Sequence, residues 1–190
     1  MKIDYNQKFK DSLPIKKEKL LLHTCCAVCA AGVLGREFLI DNNKKKLSDY
    51  FDVILYFYNP NIDTECEYNK RATEVKKLVV AFNERPHTTV EKYKLVSTSN
   101  DCQFCIKHRL EKTADYAREN NIKTFCTTLS VSPHKNASQI NALGQEIAVA
   151  KKINFLQADF KKENGFLAAN QISKKLNLYR QNYCGCGFDK

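Results

Sequence analysis

The chain has 190 residues, 43% of them hydrophobic and 27% charged, the balance of one globular domain with a substantial core. Its apolar runs stop far short of the ~18 residues that a membrane-spanning helix needs. The polar stretch from Met1 to Lys10 lacks the apolar centre of a secretory signal, so neither feature is expected. Thirty-one Lys and Arg against 21 Asp and Glu leave a net charge of +10, which directs attention to polyanionic partners.

Residues 1–18 read as a polar lead-in, and residues 19–190 as a single α/β domain ending in a Cys-Gly-Cys tail. Lys19–His23 is an apolar run of strand length. Ala27 to about Ile40 has helical spacing, with Val28, Ala31, Leu34 and Phe38 on one face. Val53–Tyr58 predicts a second strand, residues 66–83 a helix faced by Ala72, Val75, Val79 and Phe82, and Val90–Leu95 a third strand. A helix over Ile106–Asn120 carries Ile106, Leu110, Ala114 and Ala117 on one side. Thr124–Leu129 predicts a fourth strand. Asn136 with Gln139 has the spacing of a capping box that opens a helix to about Lys151. Asn154–Gln157 makes a short fifth strand, and Gly165–Leu178 a last helix. Five strand-then-helix units predict an open parallel sheet with helices on both faces. Such sheets bind ligands beyond the carboxyl ends of their strands, where the strand order switches.

Nine cysteines are many for a chain without an export signal. In a reducing cytoplasm they serve as metal ligands or redox groups more often than as structural disulfides, and an odd number closes no disulfide framework. Cys25, Cys26 and Cys29 follow the first strand, Cys66 the second, Cys102 and Cys105 the third, and Cys184 and Cys186 the last helix. Cys126 lies inside the fourth strand and reads as core. A parallel sheet gathers the other loops at one edge. Cys102-Gln-Phe-Cys105 lets two thiolates hold one metal, and a helix N-terminus there favours ionisation. A disulfide within the vicinal pair Cys25-Cys26 would be strained, so separate roles or shared ligation suit it better. Together the two pairs offer four thiolates, a set that suits zinc or a [4Fe–4S] cluster. In Cys184-Gly-Cys186 the glycine lets both sulfurs face one way, to ligate a metal or to cycle between dithiol and reducible disulfide. His23, at a strand end, reads as a core or supporting residue.

With these motifs in this order, the chain resembles the epoxyqueuosine reductases of the QueH type. The matching segments are Leu21-Leu-His-Thr-Cys-Cys-Ala-Val-Cys29, Tyr58-Asn-Pro-Asn-Ile62 with Glu67, Tyr68 and Arg71, and Cys102-Gln-Phe-Cys105 with Arg109, Leu110, Thr113 and Ala114. They continue with Thr127-Thr-Leu-Ser-Val-Ser-Pro133, Asp159-Phe160 before Gly165, and Tyr179-Arg-Gln-Asn-Tyr-Cys-Gly-Cys186. Val28 and Thr64 stand where the family often carries proline. The resemblance implies a fold similar to the adenine nucleotide alpha hydrolase, or PP-loop, group. It implies a cobalamin-independent, cytoplasmic oxidoreductase that removes the epoxide oxygen of epoxyqueuosine in a tRNA anticodon loop. That reaction is the last step of queuosine biosynthesis, and its electron donor is unknown from the sequence. By the same resemblance Cys25, Cys26, Cys102 and Cys105 bind a [4Fe–4S] cluster. Cys184 and Cys186 form a redox-active pair or hold one additional iron, for which Cys29 is a candidate ligand. Thr24-Cys-Cys-Ala-Val-Cys29 stands where ATP-using PP-loop enzymes carry Ser-Gly-Gly-x-Asp-Ser, so ATP chemistry is not expected.

Tyr183, Asp63 and Glu65 are candidate proton donors, Arg109 and Arg180 candidate anion contacts, and Tyr56, Tyr58, Tyr179 and Tyr183 candidates to stack a base. Two other functions fit part of the pattern. A PP-loop-type tRNA sulfurtransferase would need the ATP loop. A non-catalytic, zinc-stabilised RNA-binding module leaves the Cys-Gly-Cys tail without work.

Overall fold

Leu20, Leu21 and Leu22 are all fully buried, and successive side chains of a strand point to opposite faces. Leu20 and Leu22 accordingly enter one hydrophobic core and Leu21 a second. Each contributes about 1.5–3 kcal/mol by leaving water. The computed structural model describes residues 3–82, 87–96 and 101–186. The leucines lie on β1 (Glu18–His23), the centre of a five-stranded sheet. Beside it on one side are β4 (Phe51–Phe57) and then β5 (His87–Val90); on the other are β6 (Thr124–Thr127) and then β7 (Asn154–Phe155). All four pairings are parallel, with Leu22 opposite Leu55 on one side and Cys126 on the other. The chain builds outward from β1 to β5, then crosses back to β6, so the strand order switches between β1 and β6.

Helices α2 (Ala27–Leu34), α3 (Glu65–Ala81) and α6 (Gly165–Lys175) cover the face of Leu20 and Leu22. Helices α4 (Cys102–Glu119) and α5 (Ala137–Lys151) cover the face of Leu21, Tyr56 and Phe125. The N-cap half of the expected capping box is present: Asn136 Oδ1 accepts from the N–H groups of Ser138 and Gln139 and opens α5. Among the described residues no helix is long and apolar enough to cross a membrane.

Five local readings differ from the sequence expectation, the first being the fourth strand, which ends at Thr127 where the 3-10 turn Thr128–Val131 begins. The polar lead-in contains helix α1 (Tyr5–Asp11), whose only large apolar residues, Tyr5 and Phe9, share one face. Phe9 is 1% exposed and packs on Phe38 and Phe160 at ring-centroid distances of 5.0 and 5.6 Å. The helix expected over 27–40 stops at Leu34, and Phe38 belongs to an antiparallel hairpin of β2 (Phe38–Ile40) and β3 (Asn43–Lys45). Asp41 and Asn42, with φ of 49° and 61°, form its turn, and these residue types tolerate that left-handed backbone. The third strand is His87–Val90 rather than Val90–Leu95, because the ladder with β4 ends at Phe57 opposite Val90. Helix α4 starts at Cys102, a turn before Ile106, because Asp101 caps it. The last residue of the helix expected over 66–83 lies outside the described residues.

Candidate functional site

The central strand β1 delivers the first cysteine group to the switch point. After His23 the chain turns, and Cys26, in extended backbone, becomes the N-cap of α2. Its sulfur accepts from the Cys29 backbone N–H at 3.4 Å, where a cap usually offers oxygen. Cys25 is held from the turn that follows β6: its N–H donates to Thr128 Oγ1 (3.1 Å), and that hydroxyl donates to Cys25 Sγ (3.4 Å). The sulfurs of Cys25, Cys26 and Cys29 lie within 4.8 Å of one another, and the trio could hold a metal ion.

The three thiols do not titrate alike. Hydrogen bonds from Cys25 and then Cys29, with a further one from Gln181, hold the Cys26 thiol well below its ordinary pKa. The hydrogen bond to Cys26 pushes Cys25 up to about 11, and Cys25 and Cys26 together push Cys29 well above the thiol range. One sulfur ionises and then holds protons on the other two. A bound cation relieves that repulsion and favours three thiolates.

His23 lies below this group, fully buried, with both ring nitrogens engaged. Nε2 faces the Tyr58 carbonyl at 3.1 Å and therefore carries the proton; Nδ1 accepts from the Thr127 hydroxyl at 2.8 Å. It supports the strand ends and has no nitrogen left to ligate. Burial, then the Arg109 charge, lowers its pKa to about 4.

A second group forms across the site. Cys102 is exposed on the first turn of α4, and Cys105 is half-buried one turn on. Burial raises the Cys105 pKa; the Arg109 charge opposes this, and Cys186, Cys102 and Cys184 add to it. The expected easing of ionisation at this helix start is therefore overturned for Cys105, since burial wins and the helix is already capped by the Asp101 carboxylate, which accepts from Gln103 N–H at 2.8 Å.

The tail that carries Cys184 and Cys186 is held by α3. Glu67 and Arg71 form a buried i,i+4 ion pair at 2.7 Å. Arg71 donates to the carbonyls of Cys184 (3.0 Å) and Tyr183 (3.4 Å). Tyr179 N–H donates to Glu74 Oε2 at 2.8 Å, and its hydroxyl to Glu67. Gly185 adopts φ 116°, its carbonyl accepts from Asp63 N–H at 2.8 Å, and a Cβ there would sit 2.9 Å from Ile62 Cγ1. Lys135 reaches in from the loop after the 3-10 turn Thr128–Val131 and donates to Cys184 Sγ at 3.4 Å.

Arg109 joins the two groups. It is 2% exposed, donates from Nε to the Cys105 carbonyl (3.0 Å) and from Nη1 to Asn59 Oδ1 (3.5 Å), and Asn59 in turn donates to the Thr24 carbonyl. Its charge acts on His23 beside the first group and on Cys105 in the second. Among the described residues no carboxylate pairs with it. A buried cation without a counter-charge costs several kcal/mol, on the order of a lost buried ion pair. Soft sulfur donors around such a cation fit an anionic metal–thiolate group, zinc or iron–sulfur by donor chemistry.

All nine cysteines are free thiols. Cys66 is exposed on the first turn of α3, and Cys126 is core, donating to the Leu156 carbonyl at 3.1 Å with burial pushing its thiol up to about 12. Tyr183 and Asp63 meet at 3.4 Å, whereas Glu65 is exposed. Tyr56 is fully buried, and the rings of Tyr179 and Tyr183 are covered by Lys70 and Arg71, at 3.6 and 5.1 Å. Arg180 is exposed, with its guanidinium 6.0 Å from the Phe166 ring. Lys135, Thr128 and Gln181 had no functional expectation attached; only the Glu67/Arg71 spacing was a visible local signal.

The family profile described as Epoxyqueuosine reductase QueH matches residues 20–190. Among curated proteins, the epoxyqueuosine reductase QueH of Thermotoga maritima is 34% identical, over 89% of this chain and 88% of its own. The protein of the same name from Staphylococcus epidermidis is 33% identical, over 91% and 76%. That from Streptococcus pyogenes is 30% identical, over 90% and 69%. The chain belongs to the epoxyqueuosine reductase QueH family.

Proposed function

We propose that this chain reduces epoxyqueuosine in a tRNA anticodon loop to queuosine, the last step of queuosine biosynthesis, without cobalamin. The observation that carries the reading is two thiol groups in a member of this family: Cys25, Cys26 and Cys29 within 4.8 Å of one another, and Cys102, Cys184 and Cys186 interacting with Cys105 beside Arg109, which no carboxylate pairs among the described residues. Cys25, Cys26, Cys102 and Cys105 would hold a [4Fe–4S] cluster, and Cys29 is the candidate ligand for one additional iron. When bound, the cluster supplies one-electron transfer. Arg109 supplies the counter-charge for such a group.

Removing the epoxide oxygen breaks two C–O bonds, forms a C=C bond and consumes two electrons and two protons, the oxygen leaving as water. Oxidation of the Cys184/Cys186 dithiol to a disulfide releases two electrons and two protons, so the reaction balances within the chain. An external reductant, such as a dithiol, then restores the pair. Arg71 and Gly185 set the backbone of that pair, Lys135 contacts the Cys184 sulfur, and the Tyr183–Asp63 contact can hold a proton beside it. The substrate is an unstacked loop base, turned into the site at the expense of its stacking. The test is anaerobic incubation of iron-loaded protein and reductant with tRNA containing epoxyqueuosine, followed by mass spectrometry of the nucleosides. Queuosine is the expected product; unchanged epoxyqueuosine overturns the proposal.

A further inference from the structure

An aromatic ladder climbs from the core to the surface beside the cysteines. Tyr116 stacks on the fully buried Tyr56 at 4.6 Å and 28°, and Tyr56 on Tyr58 at 6.2 Å and 25°. The Tyr58 hydroxyl meets His108 Nε2 at 2.9 Å. The His108 ring then lies parallel to Phe104, within 6° at 6.3 Å between centroids. Phe104 ends the ladder and is 47% exposed, whereas Phe9, Phe38, Phe51, Phe57 and Phe125 are buried. It stands between Cys102 and Cys105 on the first turns of α4.

A single exposed apolar side chain is ordinary on a protein surface. This one differs in two respects. Its ring runs parallel to that of His108 one helical turn on, which is offset at 6.3 Å between centroids and itself hydrogen-bonded to Tyr58, and it adjoins the cysteine site. We propose that Phe104 is the stacking platform for a nucleobase of the substrate RNA, the neighbour of the base that enters the cysteine site. The proposal rests on the RNA-substrate reading above. A flat, supported π face takes another flat π system, and base–aromatic stacking tolerates any base. A cation stands at this end of α4: the Lys135 ammonium interacts with Cys102 and Cys184. The chain as a whole carries +10.

The chain contains no tryptophan, so Phe104→Trp places a single reporter on the platform. Leu167→Trp, at an exposed position of α6 on the opposite face of the sheet, is the control. Both proteins are titrated at low salt with an anticodon stem-loop RNA, and binding is followed separately by anisotropy of labelled RNA. Expected are quenching at position 104 and none at 167. Phe104→Ala and Phe104→Leu should both bind the RNA about 5- to 100-fold more weakly, since leucine keeps the apolar volume and loses the π face. RNA binding without quenching at 104, or wild-type affinity in Phe104→Leu, overturns the platform and leaves the RNA reading standing. Self-association lost in Phe104→Ala with RNA affinity unchanged makes the ring a contact between copies and also overturns it. Failure of the wild-type protein to bind the RNA at all overturns the reading beneath it.

Discussion

Cys25, Cys26 and Cys29 are held by backbone: the end of the central strand and the first turn of α2 place them, and Cys26 is itself the helix cap. Cys184 and Cys186 are held chiefly by side chains: Arg71, Glu67, Glu74 and Lys135 reach out to a tail whose described residues lie outside helix and strand, with one backbone bond from Asp63 N–H to the Gly185 carbonyl. Arg109 lies between the two groups, acting on His23 beside the first and on Cys105, which itself interacts with Cys184 and Cys186, yet the rigidity of the two groups has different sources. A metal-holding trio gains from sulfurs fixed by a core that barely moves. A pair that alternates between dithiol and disulfide needs sulfurs that shift, and adjustable side-chain contacts permit that. The contrast matches the proposed division of work between the groups.

The largest effects should come from breaking the fixed group. Cys26→Ala removes both the helix cap and the sulfur that ionises first, and bound iron should fall by more than about 100-fold, beyond the loss typical of supporting residues. The proposed ligand set extends this to Cys102→Ala and Cys105→Ala. Unchanged iron content and visible absorption in those two variants would remove α4 from the set. Cys184→Ser and Cys186→Ser should retain iron and lose turnover; near-normal turnover in both would leave the tail thiols without a redox role.

Arg71→Met attacks the side-chain clamp alone. It removes the charged partner of Glu67, which keeps the Tyr179 hydroxyl, and frees two tail carbonyls, which should destabilise the fold by about 3 kcal/mol, the low end for a broken buried pair, in urea unfolding. Alkylation of Cys184 should accelerate, while the first group keeps its metal. Equal alkylation rates in variant and wild type would show that the tail does not depend on α3.

Metal-free protein tests the support under the fixed group. The unfolded chain takes up a proton on His23 near pH 6.5, whereas the folded chain does so only at about 4. The unfolded state therefore binds more protons between these values. Stability present above pH 6.5 is lost as the pH falls toward 4, by roughly 3 kcal/mol in all. Between pH 7 and pH 5 the wild type should lose roughly 2 kcal/mol more than His23→Gln. Parallel pH profiles would contradict the buried neutral ring. The smallest effect belongs to Gly185→Ala, where a left-handed φ and a close Ile62 contact should cost about 1–3 kcal/mol, read from urea unfolding.

Local pattern carried most of the architecture. The buried run Leu20–Leu22, the helical spacing of Ala72 and Val75, and the Asn136 cap each act over a few residues, so the sheet and most helices were legible. The three motif clusters were legible for the same reason, because Cys25-Cys26, Cys102-x-x-Cys105 and Cys184-x-Cys186 are local spacings. Tyr5 and Phe9 gave too weak a pattern to announce α1, and only Phe38 and Phe160, distant in the chain, provide the surface that α1 covers. Which cysteines share a group, that Arg109 is buried with no carboxylate partner among the described residues, and that Lys135 meets Cys184 were decided by tertiary structure. Distance and burial set those properties: a thiol or guanidinium carries the same formula everywhere, and its charge state depends on neighbours that the parallel crossovers bring together from opposite ends of the chain.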